Sequence, residues 1–213
     1  NRDHLMQYLN EFITIALVHL VAVASPGPDF AVVVRHSVAY GRRIAIYTSV
    51  GIGFAILLHV AYSLVGLSVV IATTPWLFTT FSYLAAAYLV YLAIGALRSG
   101  PPKDEKVDAP AVESQTISVK RALWVGFLTN GLNPKATLFF LSLFTAIISV
   151  DTPFMVKAGY GIYLAFATGL WFCFLSYLLS TSKVAHLIGK KGYWLDRAMG
   201  VLLVGLAAKL VLG

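Results

Sequence analysis

The chain has 213 residues, 59% of them hydrophobic and only 12% charged. Soluble domains carry about 25% charged residues, so this composition excludes an ordinary globular protein and indicates an integral membrane protein. The formal net charge of +7 does not indicate a nucleic-acid partner, because the basic residues sit in short loops between apolar spans, where they act as a topology signal.

Six apolar spans are predicted, at about 11–34, 44–72, 76–97, 122–150, 154–180 and 198–212. Each is near the roughly 20 residues that a membrane helix needs. The first is interrupted by Ser25-Pro26-Gly27-Pro28-Asp29-Phe30, and the fourth by Asn133-Pro134. Proline lacks an N–H and its ring crowds the preceding turn, so Pro26, Pro28 and Pro134 are expected to break their helices. In lipid such a break survives only where protein or a water-filled cavity surrounds it.

One feature of the first span resembles a secretory leader: Arg2, an apolar run, then Ala22-Val23-Ala24 before Ser25. Asp3 and Glu11 in the leader region, and Pro26 just past the cut, argue against cleavage. Removal would also destroy the internal repeat described next, so the segment is expected to be retained.

The two halves resemble each other. Residues 1–98 carry three spans, 99–118 form a polar linker, and 119–213 carry three more. The offset that carries Pro26 onto Pro134 also carries Gly51 onto Gly159 and Gly53 onto Gly161. An odd number of spans per half inserts the halves in opposite directions. The expected fold is therefore all-α, with six transmembrane helices in two inverted three-helix repeats and the first helix of each broken at proline. This is the plan of secondary transporters, whose sites form where broken helices meet near the midplane. Twelve of the 16 Lys and Arg fall in loops on one side, the linker among them. That excess places those loops in the cytoplasm and both termini outside. The Lys183–Lys191 stretch reads as a basic loop.

An ionisable residue at membrane depth is a functional candidate by default, and Asp29 is the first here. It can receive a substrate amine or a proton, since a low-dielectric site disfavours the charged form of a carboxyl group. Asp29 is also a good N-cap for the helix that follows, and the two roles can coexist. Ser25 and Gly27 complete this half of the site, where N–H groups opening the second half-helix can bind a carboxylate. In the fourth span, Asn130, Asn133 and Thr137 are expected to share a helical face. Asparagine supplies both donor and acceptor, which suits a zwitterion. Lys135 is either a buried counter-charge, with Asp29 as its partner, or snorkels towards an interface.

In the second span, Thr48, Gly51, Ala55, His59 and Tyr62 form a small-and-polar stripe. For the glycines helix packing is the better reading. His59 is either a proton-coupling residue or a satisfied packing residue. His19 reads as nearer the outer half. Trp171 lies mid-span, unlike Trp76, Trp124 and Trp194, which open spans as interfacial tryptophans do. It either lines a cavity near Thr168 or serves as a core aromatic. The third span, with Tyr83, Tyr88 and Tyr91, reads as a packing or oligomer face. The single Cys173 excludes an intramolecular disulfide, and no Cys/His cluster or other motif implies a metal or cofactor.

The Ser25–Phe30 motif and Asn133-Pro134-Lys135-Ala136 with the aromatic and apolar residues after it resemble the LysE/RhtB family of bacterial amino-acid exporters. Ala87-Tyr88-Leu89-Val90-Tyr91-Leu92 and Leu195-Asp196-Arg197 are similar too, so the resemblance covers essentially the whole chain. It implies a small inner-membrane exporter acting by proton-driven exchange. Asp29 matches the RhtB branch, which handles threonine and homoserine, where the lysine/arginine branch tends to carry glutamine. His19 ahead of the motif is similar to threonine exporters in particular. The expected substrate is therefore threonine or homoserine, with protons and the lipid bilayer as the other partners. Two rivals remain, besides export of another amino acid. One is a channel or non-transporting membrane subunit. The other is an intramembrane enzyme, for which Ser25 and His59 qualify by residue type alone.

Overall fold

The computed structural model describes residues 2–25, 27–100, 116–179 and 182–212. Within its helices the side chains at 67–73, 75, 77, 78, 81, 85, 134, 182–190, 192, 195 and 210 lie outside the description. Pro26 and residues 101–115 of the linker fall outside it as well.

Eight helices run through the described residues, without a strand: α1 (Arg2–Ala24), α2 (Pro28–Ala39), α3 (Gly41–Thr73), α4 (Pro75–Leu97), α5 (Val119–Gly131), α6 (Pro134–Ile147), α7 (Phe154–Leu178) and α8 (Ser182–Leu212). Among the described residues, Arg2–Ala24, Gly41–Gly66 and Phe154–Leu178 are each long and apolar enough to cross a membrane. Large apolar side chains such as Phe54, Phe166, Leu170 and Val201 point outward. That pattern suits a molecule solvated by lipid.

Helices stop and start where the backbone chemistry requires. Pro28, Pro75 and Pro134 open α2, α4 and α6, where a missing N–H costs no helical hydrogen bond. Gly27 precedes α2 in extended conformation. Asn133 caps α6 by accepting from Lys135 N at 3.0 Å, and Ser118 caps α5 by accepting from Arg121 N at 3.2 Å. Between α2 and α3 the chain turns at Gly41 with φ of +81°, a conformation natural only to glycine.

One expectation about an element is corrected. The basic stretch after residue 182 is helical, so α8 begins well ahead of 198. Gly189 and Gly192 each weaken a helix by only about 1 kcal/mol, too little to interrupt this one.

The fold is organised on α3. One side packs on α5, where a Cβ on Gly51 would collide with the Leu123 carbonyl, and one on Gly126 with the Thr48 carbonyl. The other side meets α7, where a Cβ on Gly53 would stand 3.1 Å from Gly169 Cα. Small residues allow this backbone-to-backbone approach. A core around Ile15, Ile56, Leu89, Phe140, Leu143, Leu164 and Leu203 joins α1, α3, α4, α6, α7 and α8. A smaller cluster, Val33, Ile52, Phe172, Leu175 and Leu179, seats α2 against α3 and α7.

Candidate functional site

Where α1 gives way to α2 and α5 to α6, the two interruptions face a common cavity of about 80 Å³. Its lining includes Ser25, Gly27, Pro28 and Asp29 from the first interruption, and Asn130, Asn133 and Lys135 from the second. His19, Thr168, Phe139, Phe140, Phe172 and Met199 close the remaining walls.

Asp29 lies in the first turn of α2. Its Oδ2 accepts from Asn130 Nδ2 at 2.8 Å. That donation fixes the orientation of the Asn130 amide, since a carboxylate accepts only. Asp29 Oδ1 and Asn130 Oδ1 are then both buried acceptors without a partner. Buried polar atoms are rarely left unpaired, and two on one small cavity mark a place for a donor. Lys135 lines the same cavity and exerts a Coulombic pull on the Asp29 carboxylate. The opening turns of α2 and α6 both border the cavity, so the positive ends of two helix dipoles add to the lysine charge.

Asn130 is held from behind. His59 Nε2 donates to its backbone carbonyl at 3.0 Å. Tyr62 Oη bonds His59 Nδ1, and the His59 ring stacks on Phe140 at 5.7 Å. The neutral ring with its proton on Nε2 satisfies this pattern. His59 is therefore fully buried and outside the lining.

One sequence expectation is corrected, and the structure adds to the readings of Trp171 and His19. Asn130, Asn133 and Thr137 do not share one helical face, because α5 ends at Gly131 and α6 restarts at Pro134. Asn130 and Asn133 meet the cavity from two helices instead. Trp171 lies outside the lining; it packs against the Val33–Phe172 cluster, and Thr168 and Phe172 face the cavity in its place. His19 belongs to the lining: it is 3% exposed and bonds Thr168 Oγ1 at 2.8 Å through Nε2. Glu11 and Asp196 had not been singled out as site residues. Both are engaged carboxylates outside this cavity.

With this geometry in hand, the chain can be set beside known proteins. The profile of the LysE type translocator family matches residues 20–213. That interval holds both interruptions and every lining residue named above except His19. The chain belongs to the LysE-type translocator family. A threonine efflux protein of Escherichia coli (strain K12) is 30% identical over 201 residues, covering 94% of this chain and 97% of the relative. A leucine efflux protein of Salmonella choleraesuis (strain SC-B67) is 35% identical over 196 residues, covering 88% of each. No solved structure matches.

For this LysE-type translocator the support behind the cavity is testable. His59→Ala would leave the Asn130 carbonyl with the Asn133 N–H as its one remaining donor, at 2.9 Å, at a cost of about 0.5–1.5 kcal/mol, and would loosen the positioning of Asn130. We expect a lower unfolding temperature in detergent together with weaker substrate binding. His59→Gln, whose amide can still donate, should recover part of both. Unchanged binding in His59→Ala would remove this positioning role.

Proposed function

We propose that the protein exports small amino acids from the cytoplasm by proton antiport. Its helices form six spans in two inverted halves, with the interruptions at Pro26–Pro28 and Pro134 meeting at the substrate site. The observation that carries this reading is the pair of unpartnered acceptors, Asp29 Oδ1 and Asn130 Oδ1, on a cavity that also holds Lys135 and two helix N-termini. Such a site complements a zwitterion. The ammonium group supplies donors to the two acceptors, and the carboxylate answers Lys135 and the helix dipoles. Ser25, Gly27 and Asn133 shape the walls around it.

Antiport follows from the same carboxylate. Asp29 can hold an ammonium ion or a proton, and each displaces the other, so loading one drives release of the other as the halves rock. His59 is coupled to this exchange through the Asn130 carbonyl, so a change in its charge is felt at Asn130. In this reading the termini lie outside and residues 99–118 in the cytoplasm of a bacterial inner membrane, which the charge asymmetry of the loops supports.

For the substrate side chain, the His19–Thr168 pair offers hydroxyl chemistry and favours threonine or homoserine. The aromatic walls, Phe139, Phe140 and Phe172, favour leucine as a second reading. The deciding experiment is export of a labelled panel from loaded vesicles, with and without an imposed pH gradient. Saturable threonine or homoserine efflux that collapses with the gradient supports the first reading. Leucine efflux alone supports the second. Flux that neither saturates nor responds to the gradient would replace the carrier with a channel.

A further inference from the structure

Two carboxylates outside the cavity tie α1 to the rest of the chain at two levels. Glu11, in α1, is 6% exposed. It accepts from Thr152 Oγ1 at 2.9 and 3.0 Å, from Ser149 N at 3.0 Å and from Gln7 Nε2 at 3.1 Å, while Tyr160 Oη, 3.2 Å away, shares its one proton between Glu11 and the Tyr8 carbonyl of α1 at 2.9 Å. Apart from Gln7, these donors belong to the α6–α7 turn and to α7. Asp196, in α8, takes the opposite end of α1. Its Oδ1 accepts from Ser25 Oγ at 2.6 Å and its Oδ2 from Ser99 Oγ at 2.8 Å. Arg197 Nε closes the ring by donating to the Ser99 carbonyl at 2.9 Å. Ser25 directly follows α1, and Ser99 follows α4.

Glu11 and Ser25 are separated by about 20 Å of helix. Between them α1 contributes His19, Ala22 and Val23 to the cavity wall. The cavity thus lies between two carboxylate clasps, each joining α1 to the second half of the chain. The clasps share a chemistry. Most donors are hydroxyls and backbone N–H groups, which bond a carboxylate well when water is excluded. Water replaces them at little net cost once a mouth opens. A permanent structural tie would be better served by apolar packing; a bond that water can exchange suits a contact that must repeatedly break.

We infer that Glu11 and Asp196 are the two gating residues of the transport cycle. Glu11 latches α1 on the side of the α6–α7 turn, Asp196 latches its other end beside the α4 terminus, and opening either mouth releases one latch while the other holds. The inference rests on the export reading for its purpose, and on the loop-charge topology for its sides: Glu11 outside, Asp196 at the cytoplasm.

The test reads access rather than transport. Cys173 is replaced by alanine, and Ala22→Cys puts a sole thiol on the cavity wall between the latches. The full chain is reconstituted in vesicles, and a membrane-impermeant maleimide is added from one face or the other. Asp196→Asn and Ser99→Ala should each speed labelling at least tenfold from the cytoplasmic face. Glu11→Gln and Tyr160→Phe should do so from the outer face. Ser99→Ala and Tyr160→Phe each remove one hydroxyl, the latter shared between Glu11 and the Tyr8 carbonyl of the same helix, so they keep the test open if a carboxylate variant fails to fold. Acceleration at the same face by both sets, or none in folded variants, overturns the assignment. Opposed labelling, with no amino-acid efflux by the unsubstituted protein, would keep the latches and sink the export reading alone.

Discussion

Asp29→Asn is expected to abolish gradient-driven export while leaving the protein folded. Asparagine has the size and shape of aspartate, so it keeps an oxygen for Asn130 Nδ2, which now sits 2.8 Å from Oδ2. Two things are lost. The charge that complements an ammonium ion disappears, and the acceptor at Oδ1 becomes an NH₂ group pointing donors at donors. Hydrogen bonds to charged groups contribute about 1.5–3 kcal/mol, and each 1.4 kcal/mol is about tenfold. Affinity should therefore fall about 10- to 100-fold. Transport should fall further, because a residue that cannot release a proton cannot exchange it for substrate. The unfolding temperature in detergent should move by no more than a few degrees, and threonine or leucine should no longer raise it. Wild-type-like export by the folded variant would falsify both the amine-binding and the proton-coupling roles.

Gly126→Ala is expected to be the most damaging glycine-to-alanine change among the described residues. The added Cβ would enter the Thr48 carbonyl of α3, and backbone cannot swing aside as a long side chain can. Thr48 itself accepts little movement: it is fully buried, bonded to His36 Nδ1 at 2.6 Å and to the Ile44 carbonyl at 3.1 Å. Overpacking costs typically 1–3 kcal/mol and occasionally more; here about 3 kcal/mol or more is expected, since two helices must separate. The site should suffer as well. Asn130 sits one helical turn beyond Gly126 and is aligned by His59 on α3, so a shifted α5 breaks the Asn130–Asp29 pair. Gly205→Ala is the control: nothing lies within 4 Å of its added Cβ, and alanine favours helix over glycine by about 1 kcal/mol. It should be neutral or slightly stabilising. Equal unfolding temperatures for the two variants would show that the α3–α5 contact is not the constraint described.

Much of the site was legible because proline and membrane composition carry strong local signals. A proline pair or an Asn-Pro inside an apolar span has few physical outcomes, and Asp29 in such a place has fewer still. Ser25, Gly27, Asp29, Asn130, Asn133 and Lys135 were all named from that reasoning, and all line one cavity. The differences have two origins. Helical-wheel arguments assume an unbroken helix, and the break that made Asn130 and Asn133 interesting also invalidated the wheel that aligned them with Thr137. Trp171 was chosen for its depth, yet depth does not say which face turns inward. Thr168, one turn earlier, faces the cavity where Trp171 does not.

The sequence by itself determined the class of molecule and most of its apolar helical segments, though not where α8 begins. These follow from composition, from hydrophobic runs and from the missing N–H of proline, all local properties. Only the tertiary structure decided which distant groups meet. His19 finds Thr168 across 149 positions, Glu11 finds Thr152 across 141, and Ser25 finds Asp196 across 171. No periodicity encodes such pairs. They arise because α3 brings α5 and α7 against itself through glycines, and in a low-dielectric interior each polar group must then take whatever partner that packing leaves within reach.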